Sequence, residues 1–404
     1  MNRPPWWSVL VILLILALIF RRGALAVFSF ILLMATLASE LWARYSLSNV
    51  TYRRVLGGTH ISHGDETTLT LEFTNAKPLP LAWLLVRDRY PRSVNLLTDA
   101  VQSGVTGQSE FLLTMVALRW YERLRRTHRL RGDHRGVYQF GPAQLSSGDV
   151  FGFRRQFRDD DDVERLTVFP KVVPVAEFGL PADRPMGEWT ARRKVMEDPL
   201  RFAMVREYVP GDNPRYIHWK ATARTGALQT KVFEPSDTLA ITLAVDVRTR
   251  ARAYEYVPEF LEYVISAAAS LAVHALGERY MVGLAANGLG EGGKMWMQIR
   301  PGRHSHQATQ ILSTLAALEP FRGLPFEEMI YQLQPSLPFG STLVAVTAVP
   351  TEGLFEALLA LERLGHRALL LTVGDEEPDV PELLASYHLG GTDAWHRLQT
   401  LAVA

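Results

Sequence analysis

Two apolar runs near the N-terminus, Trp6 to Phe20 and Ala24 to Ser39, carry no charge and are separated only by Arg21, Arg22 and Gly23. Inside hydrocarbon every backbone polar group needs an internal partner, so each run must be helical, and a three-residue gap joins the two as a hairpin. Each run is a little shorter than the roughly 20 residues that cross a bilayer core, and flanking Trp and Arg side chains extend it at the interfaces. Trp6 and Trp7 open the first run while Trp42 and Tyr45 close the second, which puts both aromatic belts on one membrane face. A cleaved leader ending near Ala24-Leu25-Ala26 fits less well, because the apolar run continues past that point. Arg3, Arg44, Arg53, Arg54 and the N-terminal amine lie on the terminal side against Arg21 and Arg22 in the turn. That balance predicts a two-pass protein of the inner membrane, partnered by the lipid bilayer, with its soluble body in the cytoplasm.

The chain has 404 residues, 48% hydrophobic and 21% charged, which leaves room for two globular domains beside the anchor. A net charge of +1 gives no overall pull toward nucleic acid, so none is expected as a partner. The absence of Cys excludes disulfides, thiolate metal sites and thiolate nucleophiles. Changes of texture divide the chain into an anchor (1–45), a β domain (46–180), a linker with a dense polar block (181–238) and an α/β domain (239–404).

In the β domain, short alternating runs are punctuated by Gly, Asp, Asn and Pro. Thr67 to Phe73, Ala82 to Val86, Glu110 to Val116, Gly136 to Phe140 and Leu166 to Phe169 read as strands of an antiparallel sandwich. Asp159 to Asp162 lacks the alternating ligand spacing of a calcium loop and reads as a solvated hairpin tip. Arg119, Arg123, Arg125, Arg126, Arg129 and Arg131 could meet anionic lipid, but an outward strand face accounts for them more simply.

From Leu239 onward, apolar strands alternate with helices. Leu239 to Val247, Arg279 to Ala286, Thr342 to Val349 and Arg367 to Val373 read as buried parallel strands, and Met295 to Ile299 as an extra edge strand. Pro258 to Leu276, Ser305 to Leu318, Phe326 to Leu333 and Phe355 to Leu364 read as helices. The alternation predicts a doubly wound sheet. Asp246 falls at the carboxyl end of the first strand, where such sheets place ligands.

The block Arg206 to Glu234 (REYVPGDNPRYIHWKATARTGALQTKVFE) is the densest in charged and aromatic residues. Asn213 and Pro214 predict the start of a short helix, Gly226 its end, and Leu228 to Phe233 a strand. Tyr216, Trp219 and Ala223 at spacings of three and four predict a packed face anchored by Trp219. The chain contains no nucleophile elbow, phosphate loop or His-Glu-x-x-His pair. NGLGEGGK, Asn287 to Lys294, lacks the spacing of a phosphate loop and reads as a hairpin loop. His304 and His306 have no third ligand near them in sequence. His218 with Thr222 is the only base–hydroxyl pair inside the block.

Arg206, Glu207, Tyr208, Pro210, Gly211, Asp212, Arg215, Ile217, Trp219, Lys220, Ala221, Ala223 and Arg224, with Phe233 and Glu234, resemble the signature of the bacterial "domain of unknown function 58" family. His218 departs from the acidic residue often found there. The resemblance implies two membrane helices, a β domain, this block and a domain similar to von Willebrand factor A. In that domain type Asp246 would begin an Asp-x-Ser-x-Ser cation motif. Here Arg248 and Arg250 occupy the hydroxyl positions, and guanidinium groups repel a cation. Neither a metal nor a cofactor is therefore expected, and Asp246 should pair with an arginine or accept backbone hydrogen bonds. The resemblance further implies a non-catalytic membrane scaffold or adaptor working with a MoxR-type AAA+ ATPase. Arg206, Asp212, Arg215, Trp219, Lys220 and Arg224 then form a partner-binding surface or a clasp between domains. The alternative is an envelope hydrolase using the block as its site.

Overall fold

The computed structural model describes residues 6–97, 110–150, 154–178, 197–209, 216–235, 240–252, 255–289 and 294–403. It divides into two compact units, Met1–Phe169 and Pro170–Ala404.

The first unit opens with helices α1 (Trp6–Ile19) and α2 (Gly23–Ser46), packed on each other across a turn in which Arg21 takes φ 51°. Helix α2 is long and apolar enough to cross a membrane, and Val27, Phe28, Phe30, Ile31 and Met34 are exposed along it. Two four-stranded antiparallel sheets follow. One orders Val50–Leu56, Glu66–Asn75, Arg123–Arg131 and Asn95–Leu96; the other Arg155–Asp160, Ala143–Gly148, Leu81–Tyr90 and Glu110–Leu118. Their period-two alternation turns Leu69, Leu71 and Phe73 from the first and Leu84, Val86 and Leu145 from the second into one core.

Helix α2 runs into this domain through polar contacts at its end. The last carbonyls of a helix lack intrahelical partners and carry partial negative charge. Lys77 Nζ satisfies them, donating to the carbonyls of Tyr45 (2.8 Å), Ser46 and Ser48 (2.8 Å). Arg158 donates to the carbonyls of Leu47 (3.1 Å) and Val50 (2.7 Å).

Two expectations are refined here. The acidic run Asp159–Asp162 is exposed except for half-buried Asp160, and it is not a hairpin tip: the strands beside it lie in different sheets, Arg155–Asp160 pairing with Ala143–Gly148 and Glu164–Val168 with Gly136–Phe140. The arginine-rich strand is an outward face tempered by acids, with Arg125–Glu72 at 2.6 Å, Arg131–Asp133 at 2.9 Å and Arg129–Glu66 at 3.8 Å.

The second unit contains the signature block and an α/β domain. In the block, Glu197–Glu207 pairs antiparallel with Gln229–Pro235, and α3 (Trp219–Thr225) lies between them in sequence. The α/β sheet has six strands in the order Met297–Gly302, Met281–Ala286, Ala240–Val245, Thr342–Thr347, Arg367–Thr372 and Ala385–His388. All neighbours are parallel except the antiparallel edge strand Met297–Gly302. The helices are α4 (Pro258–Gly277), α5 (Gln307–Ala316), α6 (Phe326–Leu333) and α7 (Glu352–Arg363). Alternate strand residues Ala244, Ala285, Leu343, Ala345, Ala368 and Leu370 pack with α6 and α7, and α4 packs on the opposite face. Helix α4 also has the length and apolarity of a membrane span, but it is mostly buried and serves as a core helix.

Residues 170–178 belong to this unit rather than to the β domain. Val175–Phe178 pairs with Leu401–Val403, Lys171 Nζ donates to the Leu398 carbonyl (2.7 Å), and the Val173 amide donates to Ser270 Oγ (2.9 Å).

Candidate functional site

The carboxyl ends of Ala240–Val245 and Thr342–Thr347 meet where the strand order reverses direction, the position at which open α/β sheets form ligand crevices. Asp246 is completely buried there. Its Oδ1 accepts hydrogen bonds from the Arg248 amide (3.0 Å) and from Asn287 Nδ2 (2.8 Å), and its Oδ2 accepts one from Thr347 Oγ1 (2.9 Å). Arg248 Nε lies over both oxygens, at 3.3 and 3.2 Å. Burial pushes the Asp246 carboxyl up, while the Arg248 guanidinium and amide, Asn287 and Thr347 pull it back down.

This ring of donors saturates the carboxylate. An anion with four lone-pair sites already engaged has none to direct at a ligand. Arg248 reaches on toward Glu327 of α6, at 3.6 Å, so its guanidinium fills the space beside Asp246 and is held between two acids. Arg250 takes no part: it is exposed and lies over the Phe260 ring, 5.8 Å from its centroid. Among the described residues, no three His, Asp or Glu side chains gather as metal ligands. The sequence predicts that Asp246 pairs with an arginine or accepts backbone hydrogen bonds; Arg248 supplies both, while Asn287 and Glu327 were not anticipated. Asn287 follows the strand Met281–Ala286 directly and so emerges at the same carboxyl edge, a signal that was available.

The signature block is built differently. The helix starts at Trp219 with His218 as its N-cap, later than the Asn213–Pro214 signal predicts; residues 210–215, including Asp212 and Arg215, lie outside the described residues. His218 Nδ1 accepts from the Ala221 amide at 3.0 Å, and Gly226 closes the helix at φ 73°, a left-handed conformation that glycine adopts freely. Thr222 Oγ1 accepts from the Gln229 amide at 3.0 Å, tying the helix to the strand that follows. Both members of the base–hydroxyl pair thus accept backbone amides.

Trp219 is not the buried anchor that its spacing suggested. It is 69% exposed, and Ala223 is exposed too. Tyr216 precedes the N-cap and is off the helical lattice, so the three-and-four spacing defines no packed face. Lys220 and Arg224 are exposed alongside, with no ion pair to any described residue. Arg206 sits in the neighbouring strand opposite Thr230, exposed, with Nη1 donating to the Glu207 carbonyl at 3.0 Å. The structure therefore brings Trp219, Lys220 and Arg224 onto one short exposed helix.

Residues 204–373 match the family described as "Protein of unknown function DUF58". A Bacillus subtilis (strain 168) protein named "Uncharacterized protein YeaD" is 24% identical over 299 residues, covering 70% of this chain and 68% of that one. Among solved structures, a β-glucosidase from Listeria innocua is similar with a TM-score of 0.18 and 13% identity, over 30% of this chain and 16% of that one. A cohesin module from a Clostridium perfringens family 33 glycoside hydrolase gives a TM-score of 0.20 and 13% identity, over 30% and 95%. At TM-scores this low neither likeness bears on fold or function.

Proposed function

We propose that this chain, whose residues 204–373 match the DUF58 family, is a non-catalytic, membrane-anchored scaffold or adaptor. Its Trp219–Lys220–Arg224 face engages a MoxR-type AAA+ ATPase, the partner that the family resemblance implies. The observation that carries this reading is the 69% exposure of Trp219 on the same short helix as exposed Lys220 and Arg224. A large aromatic ring left in water on one helix with an exposed Arg has the composition of an interaction hot spot, not of a core. The α/β domain supports the same reading. Its strand order and antiparallel edge strand suit a von Willebrand factor A-like domain, and its ligand crevice is closed by the chain's own Arg248. The hairpin α1–α2 anchors the protein in the inner membrane with the soluble body on the cytoplasmic side, where such a motor works.

A hydrolase centred on the block is less well supported, because His218 and Thr222 already serve backbone amides. Replacing His218 by Ala should cost about 1 kcal/mol, the loss of a helix cap. Cellular function should survive that change wherever the protein still accumulates; loss of function at wild-type abundance would favour the enzyme.

The adaptor reading is tested by binding. Full-length protein in nanodiscs is titrated with the MoxR-type ATPase of the same cell, in ATP and in ADP. The double variant Lys220→Glu/Arg224→Glu should weaken binding by at least about tenfold, or 1.4 kcal/mol. Its melting should be unchanged, since exposed substitutions of this kind cost within about 0.5 kcal/mol. Equal affinity of variant and wild type, or no binding in either nucleotide, would sink the proposal.

A further inference from the structure

Helix α2 is engaged by the β domain well before its end. Ser39 Oγ donates to Asp149 Oδ2 at 2.7 Å, and Glu40 lies 3.8 Å from Arg154. Only residues 23–38 remain to cross the bilayer, about 24 Å of helix at 1.5 Å per residue. A hydrocarbon core is about 30 Å thick, so the helix is short by roughly 6 Å. Helix α1, with 14 residues, is no longer. Flanking Trp and Arg side chains extend the span at its ends, and at the α2 end the base of the β domain lies directly beside it.

That base carries the side chains an interface requires. The turn 119–122 links Glu110–Leu118 to Arg123–Arg131 and is pinned to the end of α2 through two residues. Asn75 Nδ2 donates to the Arg119 carbonyl at 2.8 Å, and the Tyr121 amide donates to the carbonyl of Lys77, whose Nζ caps α2. On this turn Trp120 is 67% and Tyr121 69% exposed, flanked by exposed Arg119 and Arg123. Tyr121 adopts φ 52°, a left-handed conformation that is costly for an aromatic residue, and its ring still points outward. Beside the turn, a cavity of about 600 Å³ is lined by Trp42, Pro80, Leu118, Arg119 and Val150. The indole Nε1 of Trp42 is buried with no hydrogen-bond partner among the described residues, and Val150 is exposed.

We infer that the base of the β domain is a membrane-seating surface: Trp120, Tyr121, Trp42 and Val150 enter the interfacial layer of the same bilayer that holds the hairpin, with Arg119 and Arg123 on its anionic head groups. Trp and Tyr are the residues enriched at that depth, and arginine stems lie along apolar surface while their heads reach phosphate. The occupant follows from continuity, since the turn is tied through Lys77 to the end of the same helix that enters the bilayer. The domain is therefore seated on the membrane in a fixed orientation rather than swinging on a tether.

This inference rests on the anchor reading of α1–α2, and the test separates the two. The chain has no Cys, so single cysteines can carry a nitroxide without background labelling. Full-length protein in nanodiscs of three parts phosphatidylcholine to one part phosphatidylglycerol is labelled in turn at Trp120→Cys, Tyr121→Cys, Val27→Cys in the hairpin and His134→Cys at the far end of the domain. Power saturation then compares accessibility to oxygen with accessibility to a water-soluble nickel chelate. The labels at 120 and 121 should be oxygen-favoured and several-fold less accessible to nickel than the label at 134. The Tyr121→Cys protein retains Trp120, so loss of one aromatic does not remove the whole surface. Nickel accessibility at both 120 and 121 equal to that at 134, with 27 embedded, would overturn the inference and leave the anchor intact. A water-exposed label at 27 would overturn the anchor and this inference with it. Spin–spin broadening at 120 and 121 would assign the surface to a second copy of the chain, which also overturns it.

Discussion

Replacing Asp246 by alanine should destabilise the second unit by about 3–5 kcal/mol, the cost of breaking a buried charge pair from one side. For a unit of this size that corresponds to a melting temperature lower by roughly 6–20 °C. The substitution removes the acceptor shared by Arg248, Asn287 and Thr347. Arg248, whose side chain is only 12% exposed, is left with Glu327 at 3.6 Å as its one described acidic partner. Asn287 Nδ2 and Thr347 Oγ1 also lose their bond to the carboxylate, which adds to the penalty. The double variant Asp246→Ala/Arg248→Met should lose less than Asp246→Ala alone, because no buried charge is stranded. Calorimetry of the three proteins decides the matter. A single-variant loss below about 1 kcal/mol would mean that the carboxylate contributes no more than an ordinary hydrogen bond.

A comparable loss is expected in the β domain from Asp88→Ala. Arg54 is wholly buried and bonds Asp88 Oδ1 through Nη1 at 2.7 Å, while Tyr52 Oη donates to Asp88 Oδ2 at 2.6 Å. Arg54 Nη2 donates to the Asp162 carbonyl, so the cluster ties the strands Val50–Leu56 and Leu81–Tyr90, which lie in different sheets, to the acidic connection. Removing Asp88 leaves a guanidinium sealed in the core without its counter-charge, again about 3–5 kcal/mol. Amide hydrogen exchange follows the β domain separately from the second unit and so reads this loss locally. Core amides of Val50–Leu56 and Leu81–Tyr90 should exchange on the order of a hundredfold faster or more, at about tenfold per 1.4 kcal/mol. The α/β strands should be unaffected. Unchanged exchange in the β domain would show that the cluster is dispensable.

The same two clusters show where the sequence was readable and where it was not. Gly136–Phe140 and Phe326–Leu333 are found at the residues their patterns predict, because clean periodicity of two and of about 3.6 leaves one buried face in each. Val50–Leu56 was missed. It is a strand whose inward positions are Val50, Tyr52 and Arg54, and a buried arginine looks like a surface residue until its partner Asp88 is in view. Ala385–His388 was missed because one exposed and three half-buried residues at a sheet edge carry almost no pattern. In the site, an arginine partner for Asp246 was legible from the strand-end position, but not which arginine it is. Asn287 and Glu327 come from other elements, and only the fold brings them to Asp246. The error at Trp219 has a different origin: a spacing rule was applied across a helix start, and Tyr216 precedes the helix.

We propose that the helix Trp219–Thr225 is a partner-facing surface rather than an active site or an internal clasp. A photo-activatable residue at position 219 of the full chain, irradiated in living cells, tests this most directly. A crosslink to a MoxR-type AAA+ ATPase is expected that changes with its nucleotide state and is absent from a control position on the α/β domain, such as Leu383, 82% exposed. Crosslinks from position 219 that join only residues of this same chain would contradict it, and would make the helix the clasp between domains.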